Sequence, residues 1–438
     1  MTFKFSVRAL LCAASSAAAS VLRPATGRVG FTDAPSTHVV PMVSHDVPGA
    51  HDIHLRRRAT NVSTSLMNVH DVYYIIELLV EGEKIPVSID TGSSDTWMVK
   101  SPYRCISFRF DNRNQKPNCG LGEGLKGELS GGIVPNVSFG RQYADGTFVE
   151  GYFGFADVTV GGLTAKKQRL GIVNSTYWNG DGRVSGLMGL AYPYMTSLDG
   201  PYETQPLYDP VFTTLWKDKL ISPMFSIALS RHIDQSPTQS PVDTRLATSY
   251  LAFGGLPPVS YDESSWARTP IQDMSVFKSW GLTTKEHGLY VLTAEAYVYG
   301  NANGTFTVTG EGLARNTSQF PVTVDAGATL SYMPTILAKQ LYASFDPPAE
   351  LVAYGLYYAK CNAKVPQFGV QFGGKIFWMA PEDLLRQSAR DPTGEWCRVG
   401  VTDSDSIDPI LGVTFLNNVV AVFDVEHHEM RFASRTKY

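Results

Sequence analysis

Residues 86–94 read Pro86-Val87-Ser88-Ile89-Asp90-Thr91-Gly92-Ser93-Ser94, and residues 321–329 read Pro321-Val322-Thr323-Val324-Asp325-Ala326-Gly327-Ala328-Thr329. Both copies run Pro-Val, a small hydroxyl residue, a β-branched apolar residue, then Asp-X-Gly and two small residues. An alternating apolar strand thus ends twice in an Asp at a tight Gly turn. A single Asp-X-Gly is usually a surface turn, with Asp bonding its own backbone. Here an apolar strand precedes each Asp, so each carboxylate should be partly buried, and buried Asp needs a partner. Two matched copies suggest a fold of two similar halves that brings two carboxylates face to face.

A second repeat supports this. Gly186-Leu187-Met188-Gly189-Leu190 is apolar and glycine-bounded, and Ile410-Leu411-Gly412 echoes it at a comparable distance beyond the second Asp. Both elements therefore recur in the same order. Between them the chain reads mostly as strands. Val72 to Val80 and Ile85 to Ile89 form the approach to Asp90, and Val137 to Val160 contains a hairpin turn at Asp145-Gly146. Val158 to Gly162 is a strand with its turn; Phe225 to Leu229, Tyr250 to Gly255, 289–299 and 304–309 are further strands. Two helices are expected. One starts with Asp209 as N-cap and Pro210 at the first position, with Phe212, Leu215, Trp216 and Leu220 on its apolar face. The other spans Pro334 to Phe345.

The 438 residues give room for two large lobes. A net charge of −4 carries no nucleic-acid footprint. Plentiful Gly, Thr, Val, Tyr and Phe favour an all-β protein. Lys4 and Arg8 followed by the small apolar run Ala9 to Leu22, with Ala17-Ala18-Ala19 as a cleavage site, make residues 1–19 an expected signal peptide. Residues 20–58 show no periodicity and end at Arg56-Arg57-Arg58, which fits a propeptide with a processing site and a mature start at Ala59. The polar end Arg435-Thr436-Lys437-Tyr438 argues against a lipid anchor, and no later segment has the length to span a bilayer. Outside the signal, Cys105, Cys119, Cys361 and Cys397 can pair in three ways, and proximity favours Cys105–Cys119 and Cys361–Cys397. No spacing supports a metal site, and no cofactor is implied. Sequons begin at Asn61, Asn136, Asn174, Asn303 and Asn316. Residues 231–249 are polar and Pro/Ser/Thr-rich, and would link an N-terminal lobe (59–240) to a C-terminal lobe (241–438).

Taken together, these motifs resemble the pepsin-like aspartic proteases, over roughly residues 70 to 434. Asp90-Thr91-Gly92-Ser93-Ser94 with Trp97 is similar to the family's first catalytic motif, and Tyr143-Ala144-Asp145-Gly146-Thr147 to its flap. The resemblance implies a bilobal, mostly antiparallel β fold with a cleft between pseudo-symmetric lobes. It implies a secreted endopeptidase, with an acidic vacuole as the alternative location, made as a zymogen, acting as a monomer on polypeptides. Asp90 and Asp325 would be catalytic. Tyr143, Asp145, Gly146 and Thr147 of the flap, with Gly92, Ser93, Trp97, Gly327 and Thr329, would bind substrate. Two close carboxylates cannot easily both ionise, and the aspartic proteases are the standard case of a pair sharing one proton. The ionised member would act as general base on a water and the protonated member would polarise the carbonyl. Trp97 is expected to hold the Tyr143 hydroxyl, and Ser93 to donate to Asp90.

The second motif departs from the family. Ala326 lacks the hydroxyl that ties the two active-site loops together, and Ala328 lacks the one that bonds the second carboxylate. Losing a donor to the ionised form raises a carboxyl pKa, so Asp325 should be less acidic than in a typical member. Two other classes compete. One is a silent relative that captures peptide or protein in its cleft, which the two alanines would favour. The other is a two-carboxylate glycosidase, which the repeated strand-turn argues against.

Overall fold

Burial along the chain sorts the strands into sheets whose inner faces pack into one large hydrophobic cluster and smaller ones beside it. The computed structural model describes residues 34–46, 72–106, 119–143, 146–180, 182–197, 207–231, 249–353, 356–404 and 408–436. Arg56 to Arg58, Ala59, Asn61, Asp145 and most of the expected linker (232–248) lie outside them. The fold is mostly β-sheet with a few short helices, in two halves. The strand Glu83–Asp90 pairs in parallel with Gly186–Gly189, which pairs antiparallel with Thr96–Cys105. In the second half Pro321–Val324 pairs in parallel with Ile410–Leu411, which pairs antiparallel with Ser331–Met333. The repeat read in the sequence is thus a repeat of strand topology. The apolar-apolar-Gly strands end in glycine because backbone passes too close for a side chain. A Cβ on Gly189 would lie 2.4 Å from the Ser94 carbonyl carbon, and one on Gly412 2.1 Å from the Leu330 oxygen.

One sheet of 13 strands joins the halves. Met224–Ala228 pairs with Ser249–Phe253 on one side and with Val419–Asp424 on the other. At its centre lies a strand the sequence did not suggest. His38–Asp46, inside the segment read as featureless, is inserted between Ser249–Phe253 and Val72–Val80, and buries Val40, Met42 and Val43. Each fully buried aliphatic side chain contributes about 1.5–3 kcal/mol, so this strand is part of the core.

Three local expectations need correction. The first helix is Val211–Lys217, its N-cap is Pro210 without a side-chain bond, and Asp209 instead accepts from Lys217 Nζ at 2.7 Å. Leu220 lies beyond its end and is exposed. The stretch 304–309 forms no strand; Phe306 and Val308 are exposed and find no strand partner. The second helix, Thr335–Ala343, does bury Leu337 and Leu341, and Phe345 is buried just beyond it.

The halves also meet through a histidine pair. His287 and His428 stack at 3.8 Å between ring centroids, 6° from parallel. Tyr192, from the first half, bonds His428 Nδ1 through its hydroxyl at 3.2 Å and donates its backbone N–H to Gly288 at 3.1 Å. Burial, then the facing His287, pushes His428 below the usual histidine range, with Asp424 opposing more weakly. A depressed folded-state pKa means stability that is present above the unfolded value and lost as pH falls through the folded one. We expect His287→Phe, which keeps a stacking ring but removes the facing charge, to soften the fall in Tm on acidification from neutral pH. Parallel Tm-versus-pH curves for variant and wild type would refute this.

Candidate active site

Burial deepens along Glu83–Asp90 until the last four residues are all inside, so the strand ends with its carboxylate in the core. Asp90 is only 7% exposed. Its carbonyl accepts from Leu190 N at 2.8 Å, and the equivalent strand holds Asp325 through Asp325 N to the Leu411 oxygen at 3.0 Å. The same topology therefore delivers both carboxylates.

The two loops are tied directly. Thr91 Oγ1 donates to the Val324 carbonyl at 3.0 Å and accepts from Ala326 N at 2.8 Å. Ala326 has no hydroxyl to make the reciprocal pair, so the tie is one-sided. Each carboxylate accepts the N–H two residues on: Gly92 N to Asp90 Oδ1 and Gly327 N to Asp325 Oδ1, both at 2.7 Å. Each also lies over the other loop's glycine. A Cβ on Gly92 would sit 2.6 Å from Asp325 Oδ2, and one on Gly327 2.5 Å from Asp90 Oδ1. The carboxylates therefore converge across the junction of the halves.

Their surroundings differ. Ser93 Oγ donates to Asp90 Oδ2 at 2.5 Å. The corresponding Ala328 is fully buried with Leu330 and Tyr332 and offers no hydroxyl. Thr329 Oγ1, one residue on, accepts from Val72 N at 3.3 Å. Restoring a donor with Ala328→Thr should stabilise the ionised dyad and move the acidic limb of the pH–rate profile to lower pH. An unmoved limb in a folded variant would show that the missing hydroxyl does not tune the pair.

Tyr143 lines the same cavity as Asp90. Its hydroxyl accepts from the buried Trp97 Nε1 at 2.6 Å, and its ring packs edge-on against Trp178 at 5.5 Å. Burial first, then the charge of Asp90, pushes the Tyr143 hydroxyl well above its ordinary range, so it stays protonated. The hairpin turns through Gly146 N to the Tyr143 carbonyl and Tyr143 N to the Thr147 carbonyl, each 2.9 Å, and Thr147 is buried. Asp90, Tyr143, Trp178, Leu187, Ala326 and Gly327 are among the residues lining one cavity. Trp178, which completes its apolar wall, carries no motif and was not anticipated.

Also unanticipated is a charged cluster beside the hairpin of Tyr143 and Gly146. Asp95 and Arg141, both buried, form a bidentate ion pair, and Tyr208 donates its hydroxyl to the same carboxylate. Burial pushes Asp95 up while Arg141 pulls it back. Removing one partner of such a pair typically costs about 3–5 kcal/mol.

The structure forms both favoured disulfides, Cys105–Cys119 and Cys361–Cys397. Asn136, Asn174 and Asn303 are exposed and Asn316 is partly buried. No group of acidic, His and Cys side chains among the described residues could hold a metal, and no helix among them is long and apolar enough to cross a membrane.

The family model for eukaryotic aspartyl protease matches residues 73–435. The chain is 32% identical over 389 residues to a probable aspartic-type endopeptidase of Aspergillus fumigatus, covering 87% of this chain and 83% of that one. It is 24% identical to penicillopepsin-1 of Talaromyces stipitatus (86% and 81% covered) and 23% identical to aspergillopepsin-1 of Emericella nidulans (95% and 96%). The crystal structure of an aspartic proteinase from Irpex lacteus superposes with a TM-score of 0.59 at 17% identity, over 91% of this chain and 97% of that one, a match of fold.

Proposed function

The chain belongs to the eukaryotic aspartyl protease family, and from that premise we propose that it cleaves polypeptides by general acid–base catalysis between Asp90 and Asp325. It is an aspartic-type endopeptidase, a hydrolase of peptide bonds. The observation that carries the mechanism is the reciprocal approach of each carboxylate to the other loop's glycine. A water between the two would be activated by the ionised carboxylate, while the protonated one donates to the scissile carbonyl and later assists the leaving amine. The shared proton belongs to the pair and not to either residue. Tyr143 covers the substrate and excludes water.

Zymogen synthesis, processing after Arg58, secretion and action as a monomer extend this reading. Two disulfides and three exposed sequons favour an oxidising, secretory route. The His38–Asp46 strand adds that the segment we read as propeptide is bound into the central sheet, so its release would have to be compensated.

The absent hydroxyls at Ala326 and Ala328 favour one other reading, a silent protein that captures peptide. Cleavage of an unfolded protein by acid-treated material, with and without pepstatin, separates the two. Pepstatin-sensitive cleavage supports the enzyme, and none from a folded, processed chain supports the silent binder.

A further inference from the structure

Asp95 and Trp97 lie two residues apart where the loop after Asp90 enters the strand Thr96–Cys105. Arg141 and Tyr143 lie two residues apart at the end of the strand Ile133–Gln142, where it enters the flap. Residues two apart on an extended chain share a face. Their side chains pair in the same order: Arg141 with Asp95, and Tyr143 with Trp97. These are two rungs between the catalytic loop and the flap, one at its root and one at its tyrosine.

We propose that Arg141 is a positioning residue for the hydrolytic reaction, its ion pair with Asp95 fixing the root of the flap so that the Tyr143 hydroxyl meets Trp97. This rests on the proposed function. Arg141 suits the task because its planar fork grips several points at once. Beyond the two bonds to Asp95, Nη2 donates to the Thr196 carbonyl at 2.8 Å and Nη1 to the Gly140 carbonyl at 2.7 Å. Asp95 is fixed in turn: its carbonyl accepts from Gly189 N at 3.0 Å, and Tyr208 donates to its carboxylate. At the second rung a single bond, Trp97 Nε1 to the Tyr143 oxygen at 2.6 Å, depends on where the strand end lies. Arg141 has no lining position in the site cavity, so its part in the reaction runs through the residues it positions.

The test has two arms on the full chain. The first is hydrogen exchange at the Tyr143 and Gly146 amides, without substrate, in wild type and in the double variant Asp95→Leu/Arg141→Met. The double change removes both charges of the pair together, and Asp95→Asn serves as a second, shape-conserving variant. We expect exchange at this hairpin to quicken about tenfold or more while the core strand Glu83–Asp90 stays protected. Unchanged hairpin exchange in both folded variants would overturn the proposal. The second arm is a cycle on kcat/KM. Asp95→Leu/Arg141→Met should cost about tenfold alone and almost nothing in a Tyr143→Phe background. An equal loss in both backgrounds would mark a merely structural role and overturn it too. Exchange is read without cleavage, so a wild type that cuts no substrate would sink the proposed function while the exchange arm still decides the flap.

Discussion

Asp90→Asn and Asp325→Asn should each lower kcat/KM by at least about 10³–10⁴-fold, since a positioned proton-transfer group alone contributes 10²–10⁴ and in the proposed mechanism one proton serves base and acid together. An amide can neither take the proton from water nor share it with its neighbour. Either substitution removes both functions, so the double variant should be no worse than the singles. Stability should move the other way or not at all. Two carboxylates converging over each other's glycine repel when both are ionised, and a neutral isostere relieves that above the acid range. We therefore expect Tm at neutral pH to hold or rise while cleavage vanishes. Retained cleavage in either folded variant, measured on an unfolded protein at acidic pH, would remove that carboxylate from the mechanism.

What the chain revealed beforehand follows from how local each signal is. The approach to Asp90 was legible because its strands are apolar runs ended by polar turn residues; Val72–Val80 has the bounds its apolar run predicts. The repeat was legible because each half must build the same parallel pairing, and that demands Pro-Val-x-β-Asp at one place and apolar-apolar-Gly at another. His38–Asp46 was not legible because nothing nearby defines it. It contains Pro41, and its first half gains its place by pairing with Ser249 to Phe253, over 200 positions away, as Ser36 Oγ at 217 positions from the Phe253 carbonyl illustrates, while its second half pairs with Val72 to Ile75. The reverse error came at 304–309. Gly304-Thr305-Phe306-Thr307-Val308-Thr309 has β-rich composition, but propensity without a partner strand leaves Phe306 and Val308 in solvent, with the Val308 carbonyl accepting from Trp378 Nε1. The ion pair of Asp95 and Arg141 belongs to a third kind. Both residues are charged in sequence and read as surface, and only tertiary structure shows that each neutralises the other inside.

Gly92→Ala and Gly327→Ala are expected to give the next largest losses, about 100-fold in kcat/KM, because a misplacement of roughly 1 Å at reacting groups costs about that much. Neither glycine has positive φ, so alanine adds no backbone strain and the effect comes from its methyl alone. That methyl meets the opposite half. At position 92 it would lie 2.6 Å from Asp325 Oδ2, and at 327 it would lie 2.5 Å from Asp90 Oδ1. Contacts this short force the facing carboxylate to retreat, while its own loop keeps its Gly92 N or Gly327 N hydrogen bond. Both ionisable groups survive, which separates these variants from the asparagines. Pushing the carboxylates apart weakens the repulsion that spreads their two macroscopic titrations. The bell-shaped pH–rate profile should therefore narrow as well as fall, with Tm close to wild type. A uniform loss with an unchanged bell would point to blocked substrate instead of a separated pair. Near-normal activity in both variants would mean the carboxylates need not approach as closely as these contacts place them, and the shared-proton mechanism would lose its geometric basis.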